Sequence, residues 1–403
     1  MNQLTEKKRL QLGLLLGALG LLGPFTIDMY LPSFPTIVED YRTNASLVQI
    51  SLTTCLLGLG IGQLIIGPMS DVQGRRKPLL TFLILYLFAS ITCAIAPNIY
   101  TFIASRFIQG FAAAGGIVIS RAVVRDVYNG KELTKFFALL MLVGNLGPII
   151  APIVGGGILT FTSWSGVFLV LSIVGLSLFL LVFWRLEETL PQDKRIPSNF
   201  KQVLSNFGTL IKDRQFAGYA LTQGFMIAGI FAYVSGIPFV YQNIYGVSPQ
   251  AFSFLFGVNG LALIIGTQSV GRLNDYIPEK TFLKIGLILS NSAGIVLLIS
   301  LLLHAHLLAV AIPIFFLVAS IGMISTTSFA LAIETQGHIA GSASALLGLL
   351  PFVLGSLTAP LVGIAGEDNA IPMGIVIFSA SFLAFLSYFL LARKTETTIP
   401  QTN

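Results

Sequence analysis

Twelve apolar runs fill most of this 403-residue chain, each near the length a helix needs to cross the hydrocarbon of a bilayer, about 20 residues. They cover 10–35, 47–69, 79–96, 99–124, 136–159, 164–185, 216–241, 250–273, 281–303, 306–332, 340–365 and 371–392. Hydrophobic residues make up 55% of the chain and charged ones 10%, whereas a soluble domain is about a quarter charged. Such a chain cannot cover its surface with polar groups, so lipid takes the place of water around it. The expected fold class is an all-α membrane protein of twelve transmembrane helices. The first run, from Leu10 past Tyr30, has no small-residue cleavage signal and reads as a retained helix.

The net charge of +6 does not form a nucleic-acid-binding stripe, because the basic residues lie between apolar runs. Their distribution is one-sided. One set of loops holds the N-terminus, 70–78, 125–135, 186–215, 272–284 and the C-terminal tail. In the opposite set (36–46, 97–98, 160–163, 242–249, 304–305 and 366–370) the only Lys or Arg is Arg42. The positive-inside rule then places both termini in the cytoplasm. Trp164 and Trp184 fall at opposite ends of the sixth run, where interfacial anchors belong.

The long polar stretch 186–215, with Glu187, Glu188, Asp193, Lys194 and Arg195, divides the chain into a six-helix bundle over 1–185, a cytoplasmic linker, and a second bundle over 216–403. The bundles repeat each other. Gly67-Pro-Met-Ser-Asp71 ends the second run and Gly271-Arg-Leu-Asn-Asp275 the eighth. Ala151-Pro-Ile-Val-Gly155 lies in the fifth and Ala359-Pro-Leu-Val-Gly363 in the eleventh. An even number of helices per copy gives a parallel repeat about an axis along the membrane normal. Two such halves enclose a cavity, and rocking them exposes it to each side in turn. That is the expectation for a transporter of a small molecule, and a monomer suffices for it.

Ionisable groups inside the hydrocarbon are costly and mark function by default. Two stand out, Asp28 in the first run and Arg106 in the fourth, both about 9–14 Å below the outer surface at about 1.5 Å per residue. Similar depth permits mutual influence, directly or through Gln109. Burial disfavours a charged carboxylate and a nearby cation favours it. A carboxylate held between the two can take up and release protons. The alternatives are a static buried ion pair or an aspartate that reaches to the outer surface. The second half has no comparable charge. His304, His306 and His338 sit near span ends, and Cys55 and Cys93 read as small core residues, so no metal or cofactor site is expected.

Two further stretches shape the helix ends. Gly67 to Pro78 makes a very short connection in which Gly74 permits a tight turn. Arg75 and Arg76 can pair there with Asp71 or with Asp126. Such a latch would hold the inner side shut, although charge that only sets topology would look the same. In the fifth run, Gly144, Asn145, Gly147, Pro148, Pro152, Gly155 and Gly156 combine kinks with small surfaces for close helix packing.

These residues resemble the major facilitator superfamily over about 10–392. Gly67 to Arg76 is similar to its loop signature, with Val72 where an arginine is usual. Arg106-Phe-Ile-Gln109-Gly110 resembles its fourth-helix motif, and Gly144 to Gly156 its antiport motif, with Ala151-Pro152 ahead of the glycine pair. Asp28-Met-Tyr-Leu-Pro32-Ser-Phe-Pro35, Arg121-Ala-Val-Val-Arg125-Asp126 and Gly341-Ser-Ala-Ser-Ala-Leu346 resemble the Bcr/CflA multidrug-resistance subfamily. The resemblance implies export of drug-like small molecules in exchange for protons, with Asp28 and Arg106 in the coupling. Tyr30, Gln109, Asn145, Tyr233 and Phe239 are candidates for the substrate cavity; core packing or lipid contact accounts equally well for the aromatic ones. Proton-independent uptake of a metabolite is the second transporter hypothesis. A membrane enzyme is disfavoured: no nucleophile–base constellation or phosphate loop is present.

Overall fold

A computed structural model describes residues 6–195, 200–336 and 339–393. The terminal tails and His338 lie outside the described residues. Among the described residues every regular element is helical. The first are α1 (Glu6–Asp28), α2 (Phe34–Tyr41), α3 (Ala45–Gln73), α4 (Arg76–Ala94), α5 (Ile99–Val127), α6 (Gly130–Ile158) and α7 (Trp164–Arg185). There follow α8 (Phe200–Lys212), α9 (Arg214–Phe239), α10 (Pro249–Leu273), α11 (Glu279–Leu302), α12 (Leu307–Glu334), α13 (Ala340–Val362) and α14 (Ile371–Ser387). Eleven stretches among the described residues are long and apolar enough to cross a bilayer, and α6 carries a shorter apolar segment, Leu142–Ile158.

Two differences from the sequence expectation have local causes. The first run is not one helix over 10–35. Helix α1 stops at Asp28, a short 3-10 turn covers Leu31–Ser33, and α2 continues. Pro32 stands four residues after Asp28 and has no N–H to give its carbonyl, while Leu31, as the residue before proline, is steered away from helix. The stretch 186–215 is not uniformly a polar connection either. It contains α8, whose Phe207 and Leu210 are buried and whose Asn206 donates to Ser342 Oγ on α13 at 3.0 Å.

The chain forms two compact units: Met1–Tyr41 with Thr54–Ser198, and Arg42–Thr53 with Asn199–Asn403. In the first, α1 packs on α5 and α6, and α4 on α5 and α7. In the second, α9 packs on α12 and α13, and α11 on α12 and α14. The pairing pattern of the first six spans thus recurs in the second six, as the internal repeat requires. Helix ends are closed by side chains of the sequence itself: Asn98 caps α5 through Thr101 N at 2.9 Å, and Asp213 caps α9 through Phe216 N at 2.8 Å. Trp164 is an anchor of another kind from the one expected. It is buried, donating from Nε1 to Asp40 at 2.6 Å and packing on Tyr41, Phe102 and Phe168, whereas Trp184 is 70% exposed.

Candidate functional site

The break in α1 delivers Asp28 to the interior of the first unit. Its side chain is 5% exposed, and it is the only acid among the buried side chains of the described residues. It makes no ion pair among the described residues. The static buried pair with Arg106 is therefore not what the structure contains. Arg106, fully buried on α5, turns elsewhere: Nη2 donates to the Thr26 carbonyl at 2.9 Å and Nη1 to Gln109 Oε1. Thr26 lies in the last turn of α1, where carbonyls lack helical donors and a cation meets the negative end of the helix dipole. The guanidinium also lies 4.2 Å from the Tyr30 ring centroid and 5.5 Å from that of Phe168, within cation–π range. Arg106 thereby ties down both sides of the break that presents Asp28.

Gln109 extends the network. Its Nε2 donates to Ser90 Oγ at 2.9 Å, and the Cys93 thiol lies 3.8 Å from its Oε1. Thr26 and Tyr86 hydroxyls meet at 2.9 Å. The predicted residues Tyr30, Arg106 and Gln109 thus belong to one neighbourhood built from α1, α4 and α5, and Asp28 lies between its two α1-side contacts, Thr26 and Tyr30, in sequence. Tyr30 is packed among Phe34, Phe102 and Phe168.

Helix α6 lies against α1 on the same neighbourhood. A Cβ at Gly147 would stand 2.4 Å from Pro24, and one at Gly155 would stand 1.9 Å from the carbonyl oxygen of Met29. The second is impossible for any other residue without moving α1 at the break. Pro148 and Pro152 lie inside α6 between those contacts. Gly144 is different: a Cβ there would meet nothing within 4 Å, so close packing does not require glycine at that end of the motif. Asn145 is half-buried on α6.

At the far end of α3, Arg75 gathers the two acids expected to pair with it. Its Nε donates to Asp126 at 2.7 Å and its Nη1 to Asp71 at 2.6 Å and to Ser70 Oγ at 2.8 Å. Arg75 is 2% exposed. Arg76 does not join the expected acids. As the first residue of α4 it reaches α7, where Nη2 donates to the Phe183 carbonyl at 2.7 Å among the free carbonyls of that helix end. Gly74 holds a φ of +91° between the two helices, a turn that favours glycine.

Sequence patterns gave no hint of Glu188. Its carboxylate accepts from the backbone N–H groups of Arg75 at 2.8 Å, Leu190 at 3.0 Å and Arg76 at 3.2 Å, so it caps α4 from 112 residues away. Partial burial opposes its charge, but the three N–H donors and Arg195 outweigh that and hold its carboxyl below the ordinary value. A depressed folded value means that the stabilisation is complete above the unfolded value and is lost only as pH falls through the lower folded one. Glu188→Ala should lower the melting temperature in detergent by about 2–4 °C, and by the same amount from about pH 5.5 to about pH 8. A decrement that shrank steadily across that range would show that the carboxylate does not hold the loop.

The remaining candidates lie in the second unit. Tyr233 is buried on α9, accepts at its hydroxyl from Asn259 Nδ2 of α10 at 2.9 Å and stacks on Phe256; Phe239 is buried at the end of α9. Asn259 and Phe256 are partners that sequence inspection did not pick out.

Helices of this length, the recurring six-span pattern and an acid that is the only buried one among the described residues point to a multi-pass membrane transporter. The sequence profile of the Major Facilitator Superfamily matches residues 16–360. The chain is 54% identical over 392 residues to the uncharacterized MFS-type transporter YdgK of Bacillus subtilis, covering 97% of each. It is 33% identical to a bicyclomycin resistance protein homologue of Haemophilus influenzae, covering 98% of each. The fold matches that of a bacterial homologue of the human lysosomal transporter Spinster, with a TM-score of 0.76 at 13% identity over 99% of this chain and all of the other. The chain belongs to the major facilitator superfamily.

Proposed function

We propose that the protein exports drug-like small molecules across the bacterial inner membrane in exchange for protons, by alternating access. Asp28 carries the reading: it is the only buried acid among the described residues, and no ion pair holds it in its charged form. In this scheme Asp28 binds a proton from the outer side and releases it inward, and drug and proton occupy the site in turn. Arg106 holds the last turn of α1 so that the carboxyl keeps its place in either form. The glycine and proline face of α6 seals α1 against proton leak, and the Arg75 cluster closes the cytoplasmic side. Tyr30, Gln109, Asn145, Tyr233 and Phe239 are the residues we assign to substrate contact. Both termini face the cytoplasm, as the loop charges require, and the monomer is the working unit. Resistance to bicyclomycin in the name of one relative supports a drug-like substrate.

The test is accumulation of bicyclomycin in proteoliposomes carrying an imposed pH gradient, with the drug moving against the protons. Export by exchange gives accumulation that a protonophore collapses. Equilibration at the same rate with and without the gradient would instead favour a uniporter.

A further inference from the structure

In the second unit, α14 runs on into a π-helical turn, Tyr388–Ala392, that packs on α9. The approach is close: a Cβ at Gly218 would stand 2.6 Å from the Ala392 backbone nitrogen. This contact brings two arginines to one turn. Arg214, the first residue of α9, donates from Nη2 to the Leu390 carbonyl at 2.9 Å. Arg393, the residue after the turn, holds its guanidinium 5.1 Å from the Phe389 ring centroid. Lys212 ends α8 two residues before Arg214. All three basic side chains are exposed.

Their charge is not cancelled locally. None of the three makes an ion pair among the described residues. The acid between Lys212 and Arg214 is committed to neutral donors at both oxygens: Asp213 Oδ1 accepts from Phe216 N at 2.8 Å and Oδ2 from Gln336 Nε2 at 2.9 Å. A guanidinium carries several N–H donors in a fixed fork. Arg214 uses one nitrogen on Leu390, and Arg393 makes no hydrogen bond among the described residues. Apolar surface continues from this basic corner into the span. Leu390 is 48% exposed, and Leu383, seven residues earlier and so on nearly the same helix face, is 42% exposed. An uncompensated pair of guanidiniums takes a phosphate, bidentate at best. The apolar strip beside it takes a hydrocarbon chain. A phospholipid joins the two in one molecule, whereas a water-soluble anion has no use for the strip.

We propose that Arg214, Arg393 and Lys212 form a binding site for one anionic phospholipid. The two guanidiniums take the headgroup phosphate, Lys212 adds to the field that attracts it, and an acyl chain lies along Leu390 and Leu383. Basic corners between spanning helices on the cytoplasmic side hold anionic headgroups in this way. In the orientation set by the loop charges the lipid belongs to the inner leaflet. The site depends on the membrane spans and not on which compound is exported.

The experiment uses the full chain in detergent, titrated with phosphatidylglycerol or with zwitterionic phosphatidylcholine and read by native mass spectrometry. The first phosphatidylglycerol should bind about tenfold more tightly than phosphatidylcholine, the worth of one hydrogen bond to a charged group. Arg214→Gln with Arg393→Gln should remove that preference. Arg272→Gln with Lys284→Gln takes the same charge from exposed positions on α10 and α11 and should leave it in place. No preference in wild type, or an equal loss in both double variants, overturns the site. A large excess of inorganic phosphate should not displace the lipid; displacement would make the occupant a soluble anion and overturns it too. Arg393→Gln alone breaks no hydrogen bond among the described residues, so it guards against misfolding in the double variant. Phosphatidylglycerol should raise the melting temperature of wild type by more than that of Arg393→Gln, because a ligand stabilises the folded state in proportion to how tightly it binds. Equal rises in the two proteins overturn the proposal.

Discussion

Asp28→Asn is expected to hold a bicyclomycin ratio of about one across a vesicle membrane on which wild type sustains a steep gradient. One-for-one exchange with a pH difference of two units supports about a hundredfold accumulation, since each unit is worth about 1.36 kcal/mol. An amide at position 28 has the shape of the acid but cannot release a proton, so drug movement loses its link to that free energy. The variant should remain folded. Asp28 makes no ion pair among the described residues, so neutralising it strands no buried cation, and its melting temperature should stay close to that of wild type. The measurement is drug content at steady state, with and without a protonophore, on protein shown to be monodisperse. Gradient-driven accumulation by Asp28→Asn at the wild-type level would remove Asp28 from the coupling step.

The spans were legible because hydropathy is a local property and a bilayer sets the length of each run. The break in the first span was written in the sequence too. Pro32 and Pro35 mark it, but a count of apolar residues passes over them because two prolines lower the mean of so long a run too little to interrupt it. Helix α8 was masked in a similar way. Phe207, Leu210 and Ile211 carry a helical spacing, yet the charges around them made the stretch look like a plain connection. The neighbourhood of Asp28 was legible only in part. Similar depth permitted a mutual influence of Asp28 and Arg106, but depth alone cannot say which way a guanidinium points. Arg106 chose a backbone carbonyl, and every residue has one, so no residue pattern could flag it. Glu188 is the extreme case. It serves amides 112 and 113 residues earlier in the chain, and nothing near it in sequence records that distance. The Gly155 contact with the Met29 carbonyl was half legible: the motif announced close packing, and the structure supplied the partner.

Arg106→Met should be the most damaging substitution in the first unit, for reasons that separate geometry from charge. Methionine has a similar length and suits the apolar surroundings, but it has no donors. The Thr26 carbonyl would lose its guanidinium donor and Gln109 Oε1 the stronger of its two donors, keeping only the Cys93 thiol, at about 1–3 kcal/mol for the stranded carbonyl. The attraction to the Tyr30 ring would go as well. The end of α1 would then be free to shift, and with it the place of Asp28. We expect a lower melting temperature together with loss of gradient-driven transport. Arg106→Lys distinguishes the causes. Lysine keeps the positive charge but is a single point, and it cannot serve two acceptors with the fixed fork of a guanidinium. If position matters most, Arg106→Lys recovers part of the stability while transport stays low and its pH profile moves, because the carboxyl of Asp28 no longer sits where α1 held it. Wild-type transport with an unmoved pH profile in Arg106→Lys would show that charge alone suffices, and that the bond to Thr26 positions nothing the transport cycle needs.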